Sequence, residues 1–253
     1  VSRYFLENTP GRRHSSLLLD PRRLRALSEC TALPSLLRAA QGKLNGLHHS
    51  CIARKGYPVP KAKDRLIDST IELIATNGVA GTGISELIAL SDVSRRTVYV
   101  NFPGGKSELV TDATRSAGRT MTDLLSGLVS NAPIESALTA FGAWWADTLR
   151  ASGFTRGCPI VAAALGRSEA PGASDAARAT FEDWGEVLRG GLEADGFDAA
   201  ESQSLAVTIV AAVEGAVVMC LAQQSVDPLD QVIRQLSRLV MISAQPDHGA
   251  APK

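Results

Sequence analysis

The sequence predicts an all-α fold: a small three-helix helix-turn-helix unit, then a larger helical domain. Three observations carry this. Apolar residues recur at i, i+4, i+7, as Ile67, Ile71 and Ile74 do in "PKAKDRLIDSTIELIATNG". Strand-like alternation is absent, and there is no internal repeat. Glycines and prolines punctuate the periodic runs, at Gly153, Gly157, Pro171, Gly172, Gly196 and Pro228.

In chain order, residues 1–58 hold many arginines, few acids and scattered Pro and Gly, the composition of an extension or linker rather than a packed domain. One weak helical stretch, 21–47, is interrupted at Pro34, and His48, His49 and Cys51 lack a second cluster of ligands to complete a metal site. The first strong helix carries Leu66 and Leu73 beside its three isoleucines and stops at Asn77-Gly78. A short second helix fits Ile84–Leu90, with Leu87 and Ile88 inward. Glu86 is half of a capping box whose Ser/Thr half is missing. A third helix starts near Val93 or Ser94, which leaves about four residues for the turn between helices two and three. Asp92 occupies that turn and tolerates a left-handed conformation better than most residues. Helices are then expected over 108–129, 133–151, 158–165, 175–195, 199–225 and 229–244, before a short tail at 245–253.

The stretch "VSRRTVYVNFPGGKSEL" (93–109) carries the most chemistry. At about 100° per residue, Arg95, Tyr99, Arg96 and Val100 share an arc of roughly 140°. Ser94, Thr97, Val98 and Asn101 lie on the other side, with Val98 as the anchor into the small core. An arginine fork matches the O6/N7 edge of guanine, a tyrosine hydroxyl suits a phosphate, and valine suits a thymine methyl. Ser94 is placed to cap the helix and to touch a phosphate. Lys106 follows Pro103-Gly104-Gly105 at the start of the next helix, where its charge would add to backbone N–H groups aimed at one phosphate. A nucleotide-binding P-loop is excluded, because "GGKS" is preceded by Tyr99 and Val100 where the pattern needs its first glycine, and no strand precedes it.

Composition narrows the class further. Of four histidines, His14, His48 and His49 lie in the extension and His248 in the tail, so the commonest general base is missing from the folded core and no enzyme is expected. Four dispersed cysteines with no C-x-x-C pair argue against a disulfide scaffold or structural zinc and fit a reducing cytoplasm. No metal and no cofactor are expected. No membrane-spanning run is expected. The net charge of zero hides 17 Lys+Arg against 10 Asp+Glu in residues 1–115, and 9 against 16 afterwards, so one end is suited to a polyanion.

At these residues the chain resembles the TetR family of transcriptional repressors. The likeness runs through Gly78, "TGISELI", "VSRRTVYVNF" and "FPGGKSEL", against the family's G-V-S-x-x-T-[LV]-Y and F-x-x-K-x-x-L patterns. "PGGK", "GCPI" (157–160), the Trp of "FEDWGEVL" and "VEGAVVMCLAQQSVDPLD" (213–230) are similar to its LmrA/YxaF-like branch, and the likeness covers residues 61–243. It implies a DNA-binding domain over 59–107, an effector-binding and dimerisation domain over 108–244, and a homodimer on a palindromic double-stranded operator. The helix over 108–129 would couple the two domains. Thr82, Ser94, Arg95, Arg96, Thr97, Tyr99, Asn101 and Lys106 are the expected DNA contacts. Departures are Asp92 and Arg96 where the family often has glycine, Val100 where it has His or Tyr, and the long extension. No Met precedes Met121, and Val59 stands directly before "PKAKDRL", where relatives begin; a GTG start there is expected, leaving a chain of residues 59–253. An expressed extension would instead add nonspecific DNA affinity.

In the second domain, Phe141 with Trp144 and Phe181 with Trp184 are each three apart and share helix faces. With Met219 they are the expected lining of a cavity for a small apolar or cationic effector. Glu214 lies in the apolar "IVAAVEGAVVMC", where an unpaired carboxylate is costly. It is expected to pair across an interface, cap a neighbouring helix or meet a polar group of the ligand. Ala211, Glu214, Gly215 and Val218, with Ile233 and Leu236 of the last helix, are the expected dimer seam. Cys158 beside Pro159 marks a helix start that would favour a thiolate. The alternative to a repressor is a ligand-binding dimeric module with only nonspecific DNA affinity.

Overall fold

The computed structural model describes residues 61–243; the expectations for the extension, its histidines, Val59 and the tail lie outside the described residues. Those residues form helices α1 (Ala62–Asn77), α2 (Ile84–Ser91), α3 (Arg95–Asn101), α4 (Gly105–Asn131), α5 (Ile134–Ala151), α6 (Pro159–Leu165), α7 (Pro171–Ala194), α8 (Ala199–Gln223) and α9 (Asp227–Ser243), with no strand among them.

Local chemistry explains the head. Gly78 ends α1 at φ 69°, donating its N–H to the Ile74 carbonyl. Asp92 ends α2 in the left-handed conformation, φ 52° and ψ 44°. Ser94 caps α3, its hydroxyl accepting the Thr97 N–H at 3.2 Å. A compact core of Leu66, Leu87, Val93, Val98, Phe102 and Leu109 holds the three helices and the start of α4 together.

Helix α4 begins three residues earlier than the sequence suggests. The Glu108 carboxylate turns back to accept the Gly104 N–H at 2.7 Å, and Gly105 enters at φ 69°. Similarly, α7 and α9 start before the expected points. Pro171 and Pro228, read from sequence as breaks, occupy first turns, where proline's missing N–H costs nothing. In the body, α4 packs along α7, α7 along α8, α8 along α9 and α9 along α5.

Two joints connect head and body. Helix α4 is covalently common to both, with Leu109 in the head core and Val110, Ala113 and Ala117 in the body core. The second joint runs from α1 to the segment around α6. The Gly157 N–H donates to the Ala75 carbonyl at 2.9 Å, and Arg156 Nε lies 3.1 Å from Glu72 Oε2 with the arginine side chain 6% exposed. A Cβ at Gly166 would fall 2.6 Å from Val79 Cβ, so only glycine permits that approach.

Helix α8 corrects one expectation. It is long and apolar enough, by length and composition, to cross a membrane, although less than half of that window is buried. Its buried side, including Leu205, Ile209, Val213 and Val217, packs into the body core.

Removing one partner of a buried ion pair costs the attraction that offsets the other's desolvation. Glu72→Ala is therefore expected to destabilise the protein by about 2–3 kcal/mol in urea unfolding. Glu72→Gln, which keeps a hydrogen-bond acceptor, should cost less.

Candidate functional site

The capped helix α3 is pinned by Val98, which is fully buried, so its remaining side chains are held in a fixed direction. Arg95, Arg96, Tyr99 and Val100 are all exposed, Val100 by 69%, as the arc on the helical wheel requires. Ser94 is exposed and shares a 2.8 Å hydrogen bond with the Thr97 hydroxyl, while the Asn101 amide donates to the Thr97 carbonyl. Asn101 and Thr97 thus brace the helix from its side, half-buried. Tyr99 runs beside Gly105, whose missing Cβ would lie 3.7 Å from its ring.

Three expectations for this surface need correction. Thr82 is 3% exposed, and its hydroxyl and N–H are already donated to the Gly78 and Val79 carbonyls, so it presents nothing outward. Of the amides expected to cradle a phosphate beside Lys106, those of Gly104 and Gly105 are taken: Gly104 donates to Glu108, and Gly105 to the Phe102 carbonyl. Lys106 itself reaches back to the Ala80 carbonyl, 3.4 Å away on the exposed surface. Finally, the basic excess of residues 1–115 lies wholly in residues 1–60, which hold 10 Lys+Arg against 3 acids. Residues 61–115 carry 7 of each, so the head's case for a polyanion rests on where Arg95, Arg96 and Lys106 stand rather than on net charge.

A second site lies in the body. Met121, Leu125, Phe141, Trp184 and Val213 line a slot with Glu214, closed down to about 20 Å³. At Val210 and Glu214 it adjoins an outward recess of about 300 Å³ bounded by Phe181, Gly185, Val207 and Ala211. The aromatic stripes meet as expected. Phe141 stacks on Trp144 at 5.8 Å, and Phe181 meets Trp184 edge-on at 5.4 Å. Trp184 is steered by its indole N–H, which donates to Thr122 Oγ1 at 3.1 Å. Trp144 backs Phe141 rather than lining the slot. Met219 is 49% exposed on the outer side of α8, whereas Met121, which sequence reasoning missed, lines the slot. Its signal was present, since Ala117, Met121 and Leu125 follow each other at four-residue spacing on α4.

Glu214 is 9% exposed, and its Oε2 has no hydrogen-bond partner among the described residues. Burial pushes its carboxyl up to about 7, a hydrogen bond from the Cys158 thiol only partly opposing this. Burial, and next the Glu214 charge, hold the Cys158 thiol well above its usual range. The thiolate expected at that helix start is therefore disfavoured, which removes the basis for a redox role.

The expected dimer seam is divided by the structure. Ala211, Gly215 and Val218 are exposed along one face of α8. Ile233 and Leu236 instead turn into the protomer's own core, and Ile233 fills the gap left by Gly142. Among the described residues no group of His, Cys, Asp and Glu is arranged to hold a metal.

Comparison with known proteins agrees with this layout. Residues 66–113 match the family model described as bacterial regulatory proteins, tetR family. Residues 133–235 match that for the C-terminal domain of LmrA/YxaF-like transcriptional regulators. The chain belongs to the TetR family. An HTH-type transcriptional regulator of Mycobacterium tuberculosis is 28% identical over 186 residues, covering 71% of this chain and 94% of its own. YxaF of Bacillus subtilis is 24% identical over 185 residues, covering 71% and 95%. A crystal structure of the regulatory protein TetR from Rhodobacter sphaeroides superposes with a TM-score of 0.64 at 19% identity, over 70% of this chain and 97% of that one. The TetR family and these relatives are transcriptional regulators, not enzymes. Like them, this protein is a TetR-family transcriptional regulator.

A carboxyl titrating near 7 when folded and near 4.5 otherwise favours the fold in its neutral form. The contribution is complete below about pH 4.5 and is lost as pH rises through 7. Urea unfolding between pH 5 and pH 8 should show wild type losing about 2–3 kcal/mol relative to Glu214→Gln, which cannot ionise.

Proposed function

We propose that this regulator is a homodimeric repressor that binds a palindromic double-stranded operator and is released by a small effector. The outward arc of Arg95, Arg96, Tyr99 and Val100, on a helix anchored by Val98, is the observation that carries the reading. Two guanidinium forks read guanine edges in the major groove, and Val100 meets a thymine methyl. Ser94, Tyr99 and Lys106 hold phosphates, while Thr97 and Asn101 set the helix's register. In this reading residues 59–107 form the DNA-binding unit and 108–244 the effector and dimer unit, acting in the cytoplasm where the operator is.

The dimer surface is the exposed stripe Val207, Ala211, Gly215 and Val218 on α8, extended by Leu239 and Ile242 of α9. An apolar helix left half uncovered is stabilised by burying that face against a second copy. Two recognition helices then address half-sites one turn of DNA apart. An effector that favours a body shape with different α4 and α6 positions shifts the heads through both joints and spoils that spacing.

Arg95→Ala/Arg96→Ala should weaken binding to a duplex from upstream of the protein's own gene by about 100-fold, with the preference over a random duplex abolished. Lys106→Ala should weaken both duplexes alike and reduce the salt slope by about one. Equal, steeply salt-dependent binding of wild type to both duplexes would favour the nonspecific ligand-binding module instead. A side chain at Gly215 meets nothing within 4 Å in its own protomer, so Gly215→Arg tests the seam without disturbing the fold. It should sediment as a monomer and lose operator affinity by at least about tenfold.

A further inference from the structure

Glu214 is placed where a structural role leaves it half used. It sits in the middle of α8, its neighbours Val213, Ala216 and Val217 are buried apolar residues, and one carboxylate oxygen is without a partner. Among the described residues the Cys158 thiol is its one side-chain hydrogen-bond partner, and that thiol is weak as a donor. The residue lines both the inner slot and the outer recess, so an occupant of either touches it. Other walls of the recess are Phe181, Gly185, Val207, Val210 and Ala211, none of which bears a polar side chain.

Charge decides what that occupant carries. Residues 116–253 hold 16 acids against 9 basic residues, so the body attracts cations and repels anions. Arg167 and Arg178, which line a surface groove adjoining the recess at Phe181, Gly185 and Val207, are committed elsewhere, Arg178 to Glu182 and Arg167 to Asp175. Phe181 and Trp184 add ring faces and edges beside the carboxyl, and ring faces favour a cation over a neutral donor of equal size.

We propose that Glu214 is the polar anchor of the ligand site, and that the site takes an apolar, ring-bearing molecule with one ammonium group, which the carboxylate pairs while the body of the ligand fills the recess. This rests on the reading of the recess as the effector site and narrows it to a chemical class. Of the three roles open to Glu214, contact with a ligand's polar group is the one its lone oxygen fits. Opening of the slot between Phe141 and Trp184 is the change such a ligand would bring about.

The test is calorimetric titration of the full chain with 1-naphthylmethylamine, protonated at neutral pH, and with 1-naphthylmethanol, its neutral counterpart. Wild type should bind the amine at least tenfold more tightly than the alcohol. Glu214→Gln, which matches the shape of the neutral carboxyl, should bring the two within about threefold while keeping the alcohol's affinity. Gly185→Leu fills the recess from a position with free space around its Cβ and should weaken both compounds. Equal binding of the two by wild type, an amine preference that survives in Glu214→Gln, or no measurable amine binding would each overturn the proposal. Amine binding that depends on Glu214 but leaves operator affinity unchanged would sustain the anchor and defeat the effector reading alone.

Discussion

The continuity of α4 is the constraint on which the rest of the structure depends. A helix of 27 residues extends about 40 Å and behaves as a stiff rod. Its first turns belong to the head core through Leu109, and the next turn already belongs to the body core through Val110 and Ala113. The head therefore has no flexible linker to the body, and its orientation is set by how α4 seats against α7. The contact of α1 with the segment around α6 adds a second point of attachment, and two points fix a direction where one allows swivelling. Close packing makes such a contact bistable rather than compliant: Gly166 against Val79 has no slack to absorb a shift.

The interior of the body is built around a polar exception. Most buried residues of α8 are apolar or small, and Glu214 among them is tolerated because burial raises its carboxyl to about 7, which keeps much of it neutral, and because Cys158 supplies one hydrogen bond. The same pairing accounts for Cys158, whose thiol is kept protonated by burial and by the carboxylate nearby. Two residues that looked separately reactive in the sequence thus explain one another. Neither needs a metal or a redox partner to justify its place.

Helix α8 also shows why a single helix can serve three surfaces. One side is core, Val210 and Glu214 face the recess, and an exposed line of small and apolar residues at spacings of four and three shares Val207 and Ala211 with it. Because Ala211 and Gly215 at the middle of that line are small, two such helices can approach closely, and the recess beside it would then lie next to the seam. Ligand site and dimer contact become neighbours for a geometric reason, without any long pathway between them.

Much of this was legible in the sequence because it depends on short spacings. The helical period, the cap at Ser94, the left-handed Asp92, the stop at Gly78 and the outward arc of α3 all involve residues within two turns of each other, and local stereochemistry determines them. Aromatic stripes three apart were readable for the same reason. What misled were features whose meaning depends on context: prolines that sit in first turns instead of ending helices, and a charge imbalance whose basic excess belongs to residues 1–60, beyond the described residues. Only the tertiary structure decided that Ile233 and Leu236 face their own core, that Met121 rather than Met219 meets the slot, and that Arg156 finds Glu72, 84 positions earlier in the chain. Period specifies that a helix has an apolar face, but which neighbour that face meets is set by the packing of whole helices, and packing couples residues that no local pattern relates.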